Sequence, residues 1–181
     1  MHRLFVALRP PRPVRAQLMT AMEGVANARW QDDDQLHITV RYIGEVERPV
    51  AEDVAIALSQ IHAPAPDVAI RGVGVFEKNG RIDTLWAGVS PPDALLALHR
   101  KVDSALVRIG LEPERRAYVP HITLARMPRS TGFGPGVDRW RADQALLSSD
   151  PFGLDTLILY ESLLTRGGAV YQSIARWPLG G

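Results

Sequence analysis

The chain has 181 residues, 46% of them apolar and 23% charged, which fits one globular domain or two small lobes sharing a core. No apolar run approaches the ~18 residues of a membrane-spanning helix. The absence of cysteine excludes disulfides, thiol catalysis and Cys-ligated metals, and a net charge of +1 supplies no global field for a long nucleic acid.

Met1–Val6 runs straight into a strand-like segment without a signal-peptide pattern, so a cytoplasmic location is expected. The first strand is predicted over Arg3–Leu8, ended by Pro10-Pro11, and a helix over Val14–Val25 carries Val14, Leu18, Met22 and Val25 on one side. Leu36–Ile43 alternates as a strand and stops at Gly44. Val50–Ile61 is an amphipathic helix with Val54, Leu58 and Ile61 aligned. Val68–Phe76 and Ile82–Val89 flank Asn79-Gly80, a hairpin signal. Ser90-Pro91-Pro92 offers an N-cap and prolines for a helix that continues through Leu95–Ile109 and ends at Gly110. Ala117–Ala125 is a strand, Met127–Gly136 a loop rich in Pro and Gly, and Trp140–Leu147 a short helix. Leu154–Leu163 and Val170–Trp177 are strands around Arg166-Gly167-Gly168.

Two blocks repeat in the same order. Leu4-Phe5-Val6-Ala7-Leu8-Arg9-Pro10-Pro11 overlays Leu85-Trp86-Ala87-Gly88-Val89-Ser90-Pro91-Pro92, and Leu36-His37-Ile38-Thr39-Val40 overlays Pro120-His121-Ile122-Thr123-Leu124. Each half therefore reads strand, Pro-Pro, helix, His-x-Thr strand. A duplication of this kind gives two lobes related by a pseudo-twofold axis, each lending one His-x-Thr pair to the seam between them.

The chemistry of that pair is specific. Side chains alternate along a strand, so His37 shares a face with Thr39 and His121 with Thr123. Imidazole exchanges protons near its ordinary pKa of ~6.5. Two of them across a phosphorus can act as acid and base together, while the Thr hydroxyls donate to the non-bridging oxygens. A 2′,3′-cyclic phosphate suits such a site. A metal site is not indicated, because no His-x-His, His-Glu-x-x-His or Asp-x-Asp occurs. Alternation places Arg41 on the cleft face and Tyr42 on the other. It also turns Arg126, three residues after Thr123, away from the cleft unless the strand bulges or ends there. His2, His62 and His99 read as solvated surface. Of the 21 basic residues only Lys78 and Lys101 are lysines. That bias suits phosphate recognition, though a codon preference that also favours Ala, Gly and Pro explains it more simply.

Arg3–Leu8, Leu36–Glu45, Leu85–Val89, Pro120–Arg126 and the closing Tyr160-Glu161-Ser162 and Gly168-Ala169-Val170-Tyr171 resemble the two-histidine (2H) phosphoesterases. Within them the chain is similar to the bacterial and archaeal RNA 2′,3′-cyclic phosphodiesterases, also named 2′-5′ RNA ligases. The resemblance implies a bilobal α+β fold over residues 1–181, with two antiparallel sheets forming a V-shaped cleft and helices outside. It implies hydrolysis of RNA 2′,3′-cyclic phosphate ends to 2′-phosphate ends without metal, and in some members reversible 2′-5′ joining of tRNA halves; no cofactor is expected, and the chain is expected to act as a monomer. Carried over by position, His37 and His121 are the catalytic pair; similarity to the family makes His37 the proton donor and His121 the proton acceptor, and the symmetric reading exchanges the roles. Thr39, Thr123 and Arg126 lie on the phosphate, with Arg41 as a further candidate from its place on the strand. The resemblance thus opposes the parity argument at Arg126. Alternatives are a related enzyme for 2′-5′ oligonucleotides or small cyclic phosphates, and a non-catalytic binder of RNA ends.

Overall fold

The computed structural model describes residues 1–129 and 135–180. The chain runs β1 (His2–Leu8), α1 (Arg12–Met19), β2 (Arg29–Trp30), a turn of 3-10 helix (Asp33–Gln35), β3 (Ile38–Val46), α2 (Arg48–Ser59), β4 (Asp67–Lys78) and β5 (Arg81–Ser90). There follow α3 (Asp93–Arg108), β6 (His121–Arg126), α4 (Pro135–Asp143), β7 (Phe152–Gly153), β8 (Thr156–Thr165) and β9 (Gly168–Pro178). No helix among the described residues is long and apolar enough to cross a membrane.

The strands form one curled sheet in the order β7-β4-β5-β6-β3-β1-β8-β9, with β2 added on β6. All described pairings are antiparallel. Its two halves are the expected lobes. β1, α1 and β3 repeat as β5, α3 and β6, and each motif strand pairs with the first strand of its own repeat. The two motif strands meet through one register pair, Ile38 against Ile122, and β2 adds Arg29 and Trp30 against Arg126 and Ala125. Ile38 and Ile122 are the central residues of the two His-x-Thr motifs. An antiparallel pair of equivalent residues lies on the local twofold axis, so the axis passes through the middle of the motifs themselves.

Alternation sorts the side chains into two layers. Leu4, Val6 and Leu8 of β1 and Leu157 and Leu159 of β8 join the helices in the main core, with Leu18 of α1, Val54 and Leu58 of α2, and Leu98, Val102 and Leu106 of α3. The intervening Phe5, Ala7, Ile158 and Tyr160 form a smaller buried cluster on the opposite face, against Tyr171. That second face floors the cleft.

Element boundaries depart from expectation where prolines and turns act. α1 begins just after Pro11 and ends at Met19, where the Thr20 hydroxyl donates to the Gln17 carbonyl. Val25 reaches the core from the following turn instead. Ser90 closes β5 and is not an N-cap; α3 starts after Pro92, without a side-chain cap. Gly110, at φ +102, ends that helix as expected. α4 starts earlier than predicted, at Pro135, and ends at Asp143. The middle of the loop predicted over Met127–Gly136, residues 130–134, lies outside the described residues.

Candidate active site

His37 immediately precedes β3 and His121 opens β6. Each imidazole is fixed through Nδ1, which donates to the carbonyl two residues earlier: His37 to Gln35 at 2.7 Å and His121 to Val119 at 2.6 Å. The two contacts are equivalents under the repeat. They set the same tautomer in both rings, with the lone pair on Nε2. Thr39 Oγ1 lies 3.0 Å from His37 Nε2 and donates to it. His37, Thr39, His121, Thr123, Arg126 and Tyr42 line one cavity of about 290 Å³. The four motif residues are thus brought together as the sequence predicts.

Aromatic walls surround each imidazole. His37 sits 4.9 Å from the Phe5 ring and edge-on to Tyr171 at 5.3 Å, while Phe76 meets His121 edge-on at 4.8 Å with Trp86 at 5.9 Å. Trp86 lies over Gly74, where a Cβ would fall 2.3 Å from its ring, so only glycine admits the indole there. Burial drives the His37 pKa down from the ordinary imidazole value to about 4, against the pull of the Gln35 carbonyl. The positive charges of His121, Arg126 and Arg9 lower it further. Burial lowers His121 as well, and Arg126 adds to the effect. Both imidazoles are therefore neutral in the empty cleft near neutral pH.

The parity expectation fails at the same place in both lobes, because both motif strands bulge. Thr39 pairs with Ala7 and Arg41 with Val6, leaving Val40 extra; Thr123 pairs with Trp86 and Ala125 with Leu85, leaving Leu124 extra. One extra residue reverses which face follows. Tyr42, 45% exposed, and Arg126 therefore enter the cleft as equivalents, and Arg41 does not. Arg126 Nη1 donates to Thr84 Oγ1 at 3.1 Å.

Arg41 is 7% exposed and is turned under the sheet. Its Nε lies 2.7 Å from Asp103 on α3, and its other nitrogens donate to the Tyr42 and Glu112 carbonyls. Burial alone would raise the Asp103 carboxyl, but Arg41 and the Glu114 amide hold it below the usual carboxylate range. His99 is also not solvated surface. It stacks on Tyr118 at 4.4 Å and donates Nδ1–H to the Val40 carbonyl at 2.7 Å. Tyr118, its phenol pushed up by burial, donates to the Thr39 carbonyl at 2.8 Å. The carbonyls of the β3 bulge are thus held by Tyr118, His99 and Arg41. The segment from Glu112 to Val119, which leads into His121, is tied to the opposite lobe by the same contacts. His62 is exposed, as expected, and His2 Nδ1 donates to Glu161 Oε1 at 2.8 Å.

A two-lobed α+β fold with paired His-x-Thr motifs at the seam defines a two-histidine phosphoesterase. The sequence profile of the 2′-5′ RNA ligase superfamily matches residues 10–162, and the chain belongs to that family. It is 29% identical over 144 residues to the RNA 2′,3′-cyclic phosphodiesterase of Aeropyrum pernix, covering 79% of this chain and 81% of that one. It is 26% identical over 183 residues to the enzyme of the same name from Escherichia coli K12, covering 98% and 96%. The crystal structure of E. coli LigT complexed with 3′-AMP superposes with a TM-score of 0.78 at 25% identity, over 99% of both chains.

Proposed function

We propose that this chain hydrolyses 2′,3′-cyclic phosphates at RNA ends to 2′-phosphates, as one bilobal domain acting as a monomer in the cytoplasm. The observation that carries this reading is the pair of His-x-Thr motifs, each with its imidazole held through Nδ1 and both lining one cavity. The relatives named RNA 2′,3′-cyclic phosphodiesterase support the substrate class.

In the reaction, water attacks phosphorus opposite the 3′-oxygen. His121 Nε2 removes a proton from the water as the new P–O bond forms. His37, protonated, delivers its proton to the departing 3′-oxygen as the P–O3′ bond breaks. Thr39, Thr123 and Arg126 hold the non-bridging oxygens, where negative charge is concentrated. The bound phosphate anion raises the pKa of both imidazoles, which allows one of them to carry the proton. Arg41 takes no part in phosphate binding. It braces the bulge and so positions Thr39 and Tyr42.

A specific observation favours a second reading with the histidines exchanged. His37 is the imidazole driven down to about 4, which makes it readily neutral and so available as the base. A substrate with bridging sulfur at the 3′-position separates the two, because a thiolate leaves without an acid. It restores turnover to the variant lacking the acid and not to the variant lacking the base.

The experiment for the activity is hydrolysis of 2′,3′-cyclic nucleotides in EDTA, with the product identified as 2′- or 3′-phosphate. His37→Ala and His121→Ala each lose at least about a hundredfold in kcat. Near-normal rates in both variants, or tight binding of the substrate without turnover by the native protein, would refute the reading.

A further inference from the structure

We propose that the basic cavity beside the catalytic cleft is a second anion subsite. It takes the phosphate on the 5′-oxygen of the terminal nucleoside, so that the protein reads an RNA end in preference to a free cyclic nucleotide. This rests on the function proposed above.

The cavity, about 530 Å³, lies between the β4–β5 turn and the end of β6, and its charged lining is Lys78, Arg81, Asp83, Arg126 and Arg129. Arg126 borders this cavity and the catalytic one, so the two adjoin. Four cations thus face one carboxylate in a chain whose net charge is only +1.

The pattern of ion pairs singles this cavity out. Of the other arginines around the cleft, Arg9 pairs with Asp33 and Asp34, Arg41 with Asp103 and Arg116 with Glu114, while Arg176 donates to the Ser173 hydroxyl. Among the described residues Lys78, Arg126 and Arg129 have none within 4.0 Å. Among the described residues Asp83 forms no ion pair with them, and its Oδ1 is buried with no hydrogen-bond partner, so its charge offsets only part of the excess. The cavity on the far side of His37 sets Arg9 and Arg176 against Asp32 and Asp34, two cations for two carboxylates, and Arg9 is already paired. The cavity behind Tyr42 also borders Arg126, but its other arginines, Arg41 and Arg116, are already paired and Glu114 lines it.

The substrate's chemistry supplies the remaining constraint. A nucleoside closed by a 2′,3′-cyclic phosphate continues only through its 5′-oxygen, so one strand leaves the cleft and its first anion is that phosphate. Lys78 and Arg129 are exposed, so they attract it through water-accessible, salt-sensitive contacts.

The test compares kcat/KM for three substrates: a cyclic mononucleotide, the same nucleotide with a 5′-phosphate, and a dinucleotide with the same cyclic end. Each is measured at roughly 50 to 300 mM salt with native protein and with Lys78→Gln/Arg129→Gln. The native protein is expected to favour both phosphate-bearing substrates by about tenfold at low salt. A gain shared by both assigns the subsite to the anion itself. In the double variant the preference collapses, the salt dependence becomes shallower by about 0.7 in log–log slope for the one phosphate released, and the plain mononucleotide is turned over as before. The inference is overturned if the added phosphate brings no gain, or if the double variant keeps it. Absence of turnover on every substrate would instead overturn the underlying function, so the two failures are distinct.

Discussion

Lowering the pH should destabilise the protein through His37, in a window and by an amount that follow from its burial. An unfolded imidazole titrates near 6.5, whereas His37 in the folded cleft titrates at about 4. Above pH 6.5 the ring is neutral in both states and contributes no pH dependence. As pH falls below that value the unfolded chain takes up a proton that the folded chain refuses, so stability declines until the folded pKa is reached. The whole loss is about 3 kcal/mol, of which about 2 kcal/mol is spent by about pH 5. The assay is urea unfolding of native protein and His37→Gln between about pH 7.5 and 5. All other titrating groups are shared, so the difference between the two curves isolates this ring. The variant should lose about 2 kcal/mol less than the native protein over that interval. Parallel curves would refute the assignment of a desolvated, neutral His37 ring. A nucleotide phosphate bound in the cleft, by raising the folded pKa, should bring the native curve towards that of the variant.

The two arginines at the bulges separate by kinetics and stability. Arg126→Gln should lower kcat/KM for a cyclic nucleotide about a hundredfold with little change in urea midpoint. Arg41→Met should cost about 3 kcal/mol by stranding Asp103, with a modest rise in KM as Thr39 loosens; a large rise in KM without destabilisation would return Arg41 to the phosphate. Gly74→Ala forces a Cβ into the Trp86 ring, so thermal unfolding should report a loss of about 1–3 kcal/mol. Because Trp86 stands beside His121, kcat should fall in the same variant; unchanged stability and rate would show that the indole moves aside freely.

The parts of this fold that could be read beforehand are those governed by periodicity. The apolar stripe of α3, the Asn79-Gly80 hairpin and the two copies of strand, Pro-Pro, helix and His-x-Thr all depend on local spacing. What spacing cannot reveal is a register shift. Val40-Arg41 carries no mark of a bulge, because an arginine buried under a sheet looks like an arginine meant for the cleft. Leu124-Ala125 offered a hint, two apolar neighbours in a strand that otherwise alternates. Laying the lobes over one another would have extended that hint to β3 and brought Tyr42 forward with Arg126. The inward turn of His99 was hidden for a different reason. Its partners, the Val40 carbonyl and the Tyr118 ring, come from distant parts of the chain, and a charged helical stretch disguised the contact.

The pairing of Ile38 with Ile122 has a consequence for the direction of chemistry. Its axis relates the two imidazoles, so the backbone frame by itself treats both esters of a cyclic phosphate alike. Handedness must come from side chains that break the twofold. The foremost of these are Tyr42 and Arg126, which occupy equivalent posts with a neutral phenol on one side and a permanent cation on the other. Regiochemistry is then a property of that mismatch: the ratio of 2′- to 3′-phosphate product measures how far the side chains depart from the frame's twofold rotation.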